Sequence, residues 1–241
     1  MLTAVKTHSL FKSYLKSGND KTFSQLHQYY ELIEEENKNY NLTGFYDEKL
    51  IQEGIVESIL IFDKINSEIF AFENKAVLDI GSGAGFPIIP YFIYNPQFEL
   101  TIFEPQQKRV NFLNLVIKKL NLKNIKVENI RAENSLANEK FDFISARAVS
   151  ELKNLVEISH HLGKLNSTFC FLKSKNYLAE INNAKWITSK LNINFQILKL
   201  NKFFEIDNVL VYYKKVNKTP QDIPRNWSQI IKDNLTKIQK N

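Results

Sequence analysis

Cysteine is nearly absent from this sequence. Cys170 is the single one among 241 residues, so no disulfide can form within the chain. No apolar run approaches the roughly 20 residues that a membrane-spanning helix needs, and the amino-terminal segment has no apolar core followed by a small-residue cleavage site. These absences argue against a disulfide-stabilised secreted scaffold and a helical membrane protein. We expect a monomeric cytoplasmic protein that makes no contact with a membrane.

Histidine is scarce as well. His8 and His27 are isolated, and His160 and His161 are adjacent, so the i, i+4 spacing of a helical ligand pair is missing. We therefore expect no metal site.

Acidic residues are in deficit. The chain has 26 Asp and Glu against 32 Lys and Arg, which gives a formal net charge of +6. A surplus of positive charge favours a polyanionic partner, such as nucleic acid, over a cationic substrate.

From residue 76 onward, short apolar runs alternate with amphipathic helices. This rhythm predicts an α/β fold with a mostly parallel sheet that is covered by helices on both faces. Two consecutive final strands predict an antiparallel pair at one edge. The predicted strands cover residues 76–80, 100–103, 125–127, 141–146, 168–172, 195–200 and 209–213.

The flanking regions are predicted to be helical or tail-like. Thr22 and Gln25 have the form of a capping box before one helix, and a second helix follows Asp47. Gly54 lies inside that second helix and should weaken it by about 1 kcal/mol. We also predict one long helix near residues 179–191. The predicted organisation is a helical extension (1–70), a ligand-binding domain (71–217) and a basic, partly ordered tail (218–241).

A glycine-rich turn follows the first predicted strand. Residues 79–86 read DIGSGAGF, and glycines at such a turn allow positive φ and a close approach of a ligand to the main chain. Glu104 ends the next predicted strand, where its carboxylate can accept hydrogen bonds from both ribose hydroxyls of a nucleoside. A dinucleotide-binding turn would require glycine at Phe86. The pattern therefore suits a nucleoside that carries a sulfonium and an amino acid better than a pyrophosphate.

Further short motifs occur in a fixed order along most of the chain, from about residue 40 to residue 215. They are Asn41-Leu42-Thr43, the turn with Pro87 and Pro90, Glu104, Lys108-Arg109, Arg131-Ala132-Glu133, Ser145-Ala146-Arg147-Ala148 and Leu172-Lys173. With this set the chain resembles the small-subunit ribosomal RNA methyltransferase G family (RsmG, also called GidB). The resemblance implies a Rossmann-like class I methyltransferase fold with seven strands. It also implies methyl transfer from S-adenosylmethionine to N7 of a guanine in small-subunit ribosomal RNA.

The resemblance also implies roles for individual residues. Gly81 and Phe86 would line the cofactor, Ala132 and Glu133 would lie near its adenine, and Arg147 near its methionine end. The predicted cofactor-binding set is therefore Asp79, Gly81, Gly83, Phe86, Glu104, Ala132, Glu133 and Arg147, with Arg147 also the predicted catalytic residue. Basic residues around the cofactor mouth are predicted to bind RNA, namely Lys108, Arg109, Arg131, Lys173 and Arg225.

The chemistry of the sequence is consistent with a ring-nitrogen target. Guanine N7 has a lone pair and no proton, so its attack on a sulfonium methyl needs no general base, and alignment can supply most of the acceleration. No Asn/Asp-Pro-Pro-aromatic motif follows the fourth predicted strand to orient an exocyclic amine. Cys170 lies in the middle of a predicted strand and is interpreted as a core thiol rather than a nucleophile.

Two alternatives stay open from the sequence. One is a methyltransferase for a different substrate. The other is a cofactor-binding but catalytically weak RNA-binding protein, because Gly54 and Asp207-Asn208 stand where the family has a histidine and an Arg-His pair. A pyridine-nucleotide enzyme is disfavoured by Phe86.

Overall fold

The computed structural model describes residues 1–201 and 208–238, with side chains given as far as residue 232. Within them, seven strands form one sheet in the order β3-β2-β1-β4-β5-β7-β6. β1 to β5 are parallel, and β7 runs antiparallel to both β5 and β6, which confirms the predicted mostly parallel sheet and its antiparallel edge. The strands are β1 Ala76–Ile80, β2 Glu99–Phe103, β3 Ile125–Glu128, β4 Phe141–Arg147, β5 Gly163–Lys173, β6 Gln196–Lys199 and β7 Val209–Lys214.

Helices cover both faces of the sheet, as predicted. Val77 of β1 belongs to the core on one face, whereas its neighbour Leu78 belongs to the core on the other, because successive side chains of a strand alternate. None of the described helices combines the length and apolar character of a bilayer-spanning segment. The α-helices are α1 Ala4–Tyr14, α2 Asp20–Asn39, α3 Asp47–Lys49, α4 Glu57–Glu68, α5 Ile88–Tyr94, α6 Gln107–Lys119, α7 Leu152–Ser159, α8 Tyr177–Asn183, α9 Lys185–Leu191 and α10 Trp227–Ile238.

The amino-terminal helices pack directly against the sheet. Phe11 of α1, Leu26 of α2 and Phe62 of α4 are buried in the same core as Phe92 of α5 and Phe143 of β4. The predicted capping box at Thr22 and Gln25 is wrong. Helix α2 begins earlier, and the side chain of Asn19 accepts a hydrogen bond from the Thr22 amide at 2.9 Å.

Between α3 and α4 the chain forms a π-helical segment, Leu50–Val56. Gly54 lies in it, and a Cβ atom at this position would be 2.9 Å from Cζ of Phe86. The missing side chain therefore lets the helix approach the Phe86 ring. π-Helical segments are rare and are frequently found at functional sites.

Three predicted elements differ from the structure. The long helix near 179–191 is two helices, α8 and α9, which meet at the buried Ala184. β5 begins at Gly163 rather than Thr168, because its first residues are polar or exposed and leave no apolar run in the sequence. The region predicted as a partly ordered tail contains α10 in its described part and buries Ile223 and Ile230 in the core that α7 and α9 share.

Gly85 provides a direct test of the packing beneath the turn. Its φ is +104°, and a Cβ atom there would lie 2.6 Å from Cγ1 of Ile89 and 2.7 Å from the Tyr29 hydroxyl, which donates to the Ala84 carbonyl. We expect Gly85→Ala to lower the free energy of unfolding by about 3 kcal/mol, from backbone strain and overpacking together. Urea denaturation followed by circular dichroism measures the change.

Gly44→Ala is the matched control for that substitution. A Cβ atom at Gly44 would have no neighbour within 4 Å, so we expect a change of no more than about 0.5 kcal/mol. An equal destabilisation of the two variants would show that the space around Gly85 does not limit stability.

Candidate active site

The glycine-rich turn lies where the strand order of the sheet reverses. β1 is flanked by β2 on one side and β4 on the other, and such a switch point leaves a crevice at the carboxyl ends of the strands. Gly81 and Gly83 have φ values of +71° and +60°, as predicted for this turn. The Gly81 amide donates to the carbonyl of Phe103 at 2.8 Å, which ties the turn to the end of β2.

Asp79 holds the turn from below. It is fully buried, its Oδ1 accepts a hydrogen bond from the Ser145 hydroxyl at 2.6 Å, and its Oδ2 accepts one from the Ser82 hydroxyl. Burial raises the pKa of Asp79 to about 7, while the two hydroxyls and the nearby Arg147 act to lower it. Asp79 therefore joins the ends of β1 and β4 and lines neither of the two cavities described below.

Glu104 lies against the other side of the turn. Only 1% of the residue is exposed, and its Oε2 and Oε1 accept hydrogen bonds from the amides of Gly83 at 3.1 Å and Gln106 at 3.0 Å. Each carboxylate oxygen can accept more than one hydrogen bond. The acid is thus held in place by main-chain donors and retains capacity for a ligand.

A cavity of about 260 Å³ opens beside Glu104 and Gly81. Its wall contains two more of the predicted cofactor residues, Ala132 and Glu133. Its apolar wall, which no motif in the sequence indicates, includes Ile130, Ile158 and Trp227. Trp227 escapes sequence-based prediction because its segment has the composition of a tail.

One carboxylate oxygen of Glu133 is buried in the cavity wall without a hydrogen-bond donor in the described part of the chain. Its side chain is 4% exposed, and its Oε1 accepts no hydrogen bond from the described residues, with Nη1 of Arg131 3.9 Å away. A buried acceptor without a donor is costly unless a ligand supplies one. Glu133 and Glu104 lie in the wall of a partly apolar cavity, where an adenine amine and two ribose hydroxyls would donate the hydrogen bonds that these carboxylates can accept. The residues present therefore fit the adenosine part of S-adenosylmethionine.

A second cavity, of about 500 Å³, adjoins the first. The two share Ala148 and Val149, which follow β4. Val149 lies directly over the turn, because a Cβ atom at Gly81 would be 2.6 Å from its Cγ2. A ligand in the second cavity is therefore next to a ligand in the first.

Arg147 lines the second cavity and not the first. Its Nη1 lies 3.7 Å from Oε2 of Glu57, and its guanidinium lies 5.6 Å from the centre of the Phe86 ring. Burial lowers the pKa of Arg147, while Glu57 and Asp79 raise it. The placement favours contact with whatever occupies the second cavity. Its predicted role as a contact to the cofactor remains a prediction.

Phe86 and Gly83 lie behind the cavity that they were predicted to line. Phe86 is 6% exposed, and its ring makes edge contacts with those of Tyr29 and Phe45. It therefore supports Arg147 from beneath. Gly83 acts through its amide, which donates to Glu104.

The predicted RNA-binding residues fall into two groups. Arg109 and Arg131 line the first cavity, and the exposed Lys108 precedes Arg109 on α6. The Lys173 side chain, by contrast, is 8% exposed and pairs with Glu180 at 2.6 Å, and the Arg225 side chain donates hydrogen bonds from Nε and Nη2 to Glu157. These ion pairs hold Lys173 and Arg225 within the protein. Lys108, Arg109 and Arg131 are therefore better placed to bind phosphates.

Cys170 is a core residue, as interpreted from the sequence. It is 2% exposed in the middle of β5, and burial raises the pKa of its thiol well above the ordinary value. A thiol held neutral is a poor nucleophile.

Residues 22–204 match the protein-family model described as rRNA small subunit methyltransferase G. Two proteins named ribosomal RNA small subunit methyltransferase G are similar over nearly their whole length. The one from Mycoplasmopsis pulmonis is 42% identical, with 88% of this chain and 92% of the relative covered. The one from Mycoplasma mobile is 44% identical, with 90% and 93% covered.

Solved structures are similar to this chain in fold. A SAM-dependent methyltransferase from Aquifex aeolicus matches with a TM-score of 0.55 at 21% identity, covering 71% of this chain and all of that one. TYW2 from M. jannaschii, solved in complex with AdoMet, matches with a TM-score of 0.51 at 17% identity, covering 66% and 75%. These likenesses show the Rossmann-like class I methyltransferase fold that the sequence predicts.

Proposed function

The chain belongs to the rRNA small subunit methyltransferase G family, and from this premise we propose that it methylates N7 of a guanine in small-subunit ribosomal RNA. S-adenosylmethionine is the methyl donor. The observation that carries the proposal is the contact between two cavities at Ala148 and Val149. One cavity fits an adenosine, and the other is large enough for a base and opens beside it.

Bound S-adenosylmethionine supplies a sulfonium methyl that a nitrogen lone pair can attack. The residues of this chain hold the two reactants. Glu104 binds the ribose, Glu133 accepts a hydrogen bond from the adenine amine, and the turn at Gly81 lets the ligand approach the main chain. Apolar walls exclude water from the adenine. No side chain needs to remove a proton, because N7 carries none, so alignment of the two cavities provides the acceleration.

The decisive experiment is methyl transfer with labelled S-adenosylmethionine to unmodified small ribosomal subunits and to naked ribosomal RNA. Chemical cleavage specific for 7-methylguanine then maps the product. We expect label in RNA at a single guanine. Cofactor binding without transfer to either substrate would favour the catalytically weak RNA-binding protein. Label at another atom would favour a methyltransferase of different specificity.

The cations at the mouth of the first cavity are expected to bind phosphates. Replacing Lys108, Arg109 and Arg131 together with alanine should weaken RNA binding and reduce the slope of log K against log salt concentration. The slope should fall by about 0.7 to 0.9 for each phosphate that the variant no longer neutralises. Fluorescence anisotropy with labelled ribosomal RNA at several salt concentrations measures the slope.

Lys118 and Lys119 provide the control, because they are exposed at the far end of the same helix, α6. Their replacement with alanine removes two positive charges at a distance from the cavity. We expect the salt slope to stay within error of the wild-type value. Equal slopes for the triple variant and the wild type would move the RNA-binding surface elsewhere.

A further inference from the structure

An acid lies buried in the wall of the second cavity. Glu57, at the start of α4, is 2% exposed and yet lines a cavity open to solvent. Its Oε1 accepts a hydrogen bond from Nδ2 of Asn208 at 2.7 Å. Its Oε2 is 3.7 Å from Nη1 of Arg147, which is an ion pair but too long for a hydrogen bond.

The other two acids of this cavity have different surroundings. Glu180 already accepts a hydrogen bond from the Leu152 amide at 2.9 Å and pairs with Lys173 at 2.6 Å, so it stabilises the fold. The side chain of Glu151 is 51% exposed and pairs with Lys153. Glu57 alone among the three is buried while one of its oxygens accepts no hydrogen bond from a described residue.

Desolvation makes this arrangement unfavourable for the protein on its own. Burial raises the pKa of Glu57 to about 7, while Arg147 and Asn208 act to lower it. A ligand that donates hydrogen bonds would stabilise the charged carboxylate, which only accepts them. The cavity therefore favours a ligand with adjacent donors on one edge.

Guanine has such an edge. Its Watson–Crick side presents N1–H and the N2 amine as neighbouring donors, whereas adenine presents an acceptor at N1. O6 lies between this side and N7. Arg147 lines the same cavity, pairs with Glu57 and precedes Ala148, which the two cavities share. A guanidinium beside the carboxylate suits a ligand with an acceptor next to its donor edge, and in guanine O6 is that acceptor.

Phe45 supplies an apolar surface in the same cavity. Its ring lines the wall and is held at its edge by Phe86, with ring centres 6.4 Å apart. Enzymes that act on a nucleobase take it out of the stack and hold it by aromatic contact and by hydrogen bonds to its Watson–Crick side. Phe45 and Glu57 provide one of each.

We propose that the second cavity binds the target guanine and that Glu57 selects it by accepting hydrogen bonds from N1–H and the N2 amine. This assignment rests on the proposed function. It adds a specificity determinant that lies outside the cofactor cavity.

The test compares guanine with hypoxanthine, which lacks the N2 amine, at the nucleotide that the wild-type protein methylates. Initial rates of methyl transfer are measured on RNA carrying either base, in naked or subunit-assembled form as the wild type requires. We expect the wild type to prefer guanine by about 10-fold or more. Glu57→Gln should lower transfer to guanine by about 10- to 100-fold and bring the preference close to one. The Kd for S-adenosylmethionine should change less than about 2-fold, because Glu57 lies outside that cavity.

Two further variants make the result specific. Glu73→Gln alters an exposed acid before β1, at the end of the sheet opposite the two cavities, and should leave both rates and the preference unchanged. Glu57→Asp keeps the charge beside Arg147, and so the fold, but withdraws the carboxylate by one methylene. It should also reduce the preference. The ratio of rates is a valid measure in a partly unfolded sample, because loss of active protein lowers both rates equally.

The outcomes separate the two proposals. If the wild type transfers no methyl group to RNA, the proposed function fails and this assignment fails with it. If the wild type methylates guanine and both Glu57 variants keep the wild-type preference over hypoxanthine, the proposed function stands and Glu57 does not select the base.

Discussion

Replacing Glu104 with alanine is expected to weaken binding of S-adenosylmethionine about 5- to 150-fold, which corresponds to about 1–3 kcal/mol. The buried carboxylate is the acceptor proposed for the ribose. It also accepts hydrogen bonds from the amides of Gly83 and Gln106, which define the edge of the cavity. The variant therefore lacks an acceptor both for the ligand and for the two amides that shape the turn. Isothermal titration calorimetry measures the change.

Glu99→Ala is the matched control for this prediction. Glu99 is exposed at the opposite end of the same strand, β2, so its replacement should leave the Kd unchanged. Titration with NAD tests the class of ligand at the same time, and we expect no binding. Wild-type affinity in Glu104→Ala would remove this residue from the site, and a preference for NAD would overturn the assignment of the cofactor.

The sheet is predictable from the sequence because its strands carry continuous apolar runs. The centres of β1, β2 and β4 are buried on both faces, and most of their buried residues are apolar. Asp79, Thr101 and Ser145 are the buried polar exceptions. The strand predicted for β5 is too short because its first residues, including Lys164 and Asn166, are exposed. There the main chain is held by hydrogen bonds such as that from the Asn166 amide to the Lys215 carbonyl at 2.8 Å, and not by side-chain burial. Predictions from apolar runs find buried segments and miss exposed extensions.

The cofactor cavity and the second cavity differ in how far they can be predicted. Gly81 and Glu104 follow consecutive strands, and the topology of a parallel sheet brings consecutive strand ends together. Glu57 and Asn208 are separated by 151 positions, and their contact depends on how α4 packs beside β7. No local pattern in the sequence indicates such a pair.

Gly54 shows how a departure from a family pattern can have a structural cause. The position carries histidine in the family, and the absence of that histidine suggests impaired activity. In this chain a side chain at Gly54 would collide with Phe86, whose ring supports Arg147. The glycine is therefore fitted to the packing beneath the second cavity. Its presence is not by itself evidence for an inactive protein.

Arg147→Met is expected to lower the free energy of unfolding by about 3–5 kcal/mol above neutral pH, because it leaves buried carboxylates without their cation. Arg147 faces both Glu57 and Asp79, and burial raises the pKa of each to about 7. A carboxyl with a raised pKa contributes stability at low pH and loses it as pH rises through the folded-state pKa. Without Arg147 both pKa values rise further, so the variant loses stability over a wider range of pH.

The difference between wild type and variant should therefore be large at about pH 8.5 and small at about pH 5.5, where both carboxyls are protonated in either protein. Urea denaturation at the two pH values measures it. Lys118→Met is the control, because Lys118 is exposed on α6 and lines neither cavity. Its effect should stay within about 0.5 kcal/mol at both pH values. A cost for Arg147→Met that does not vary with pH would mean that Arg147 stabilises the protein by packing on Phe86 and not by neutralising the two acids.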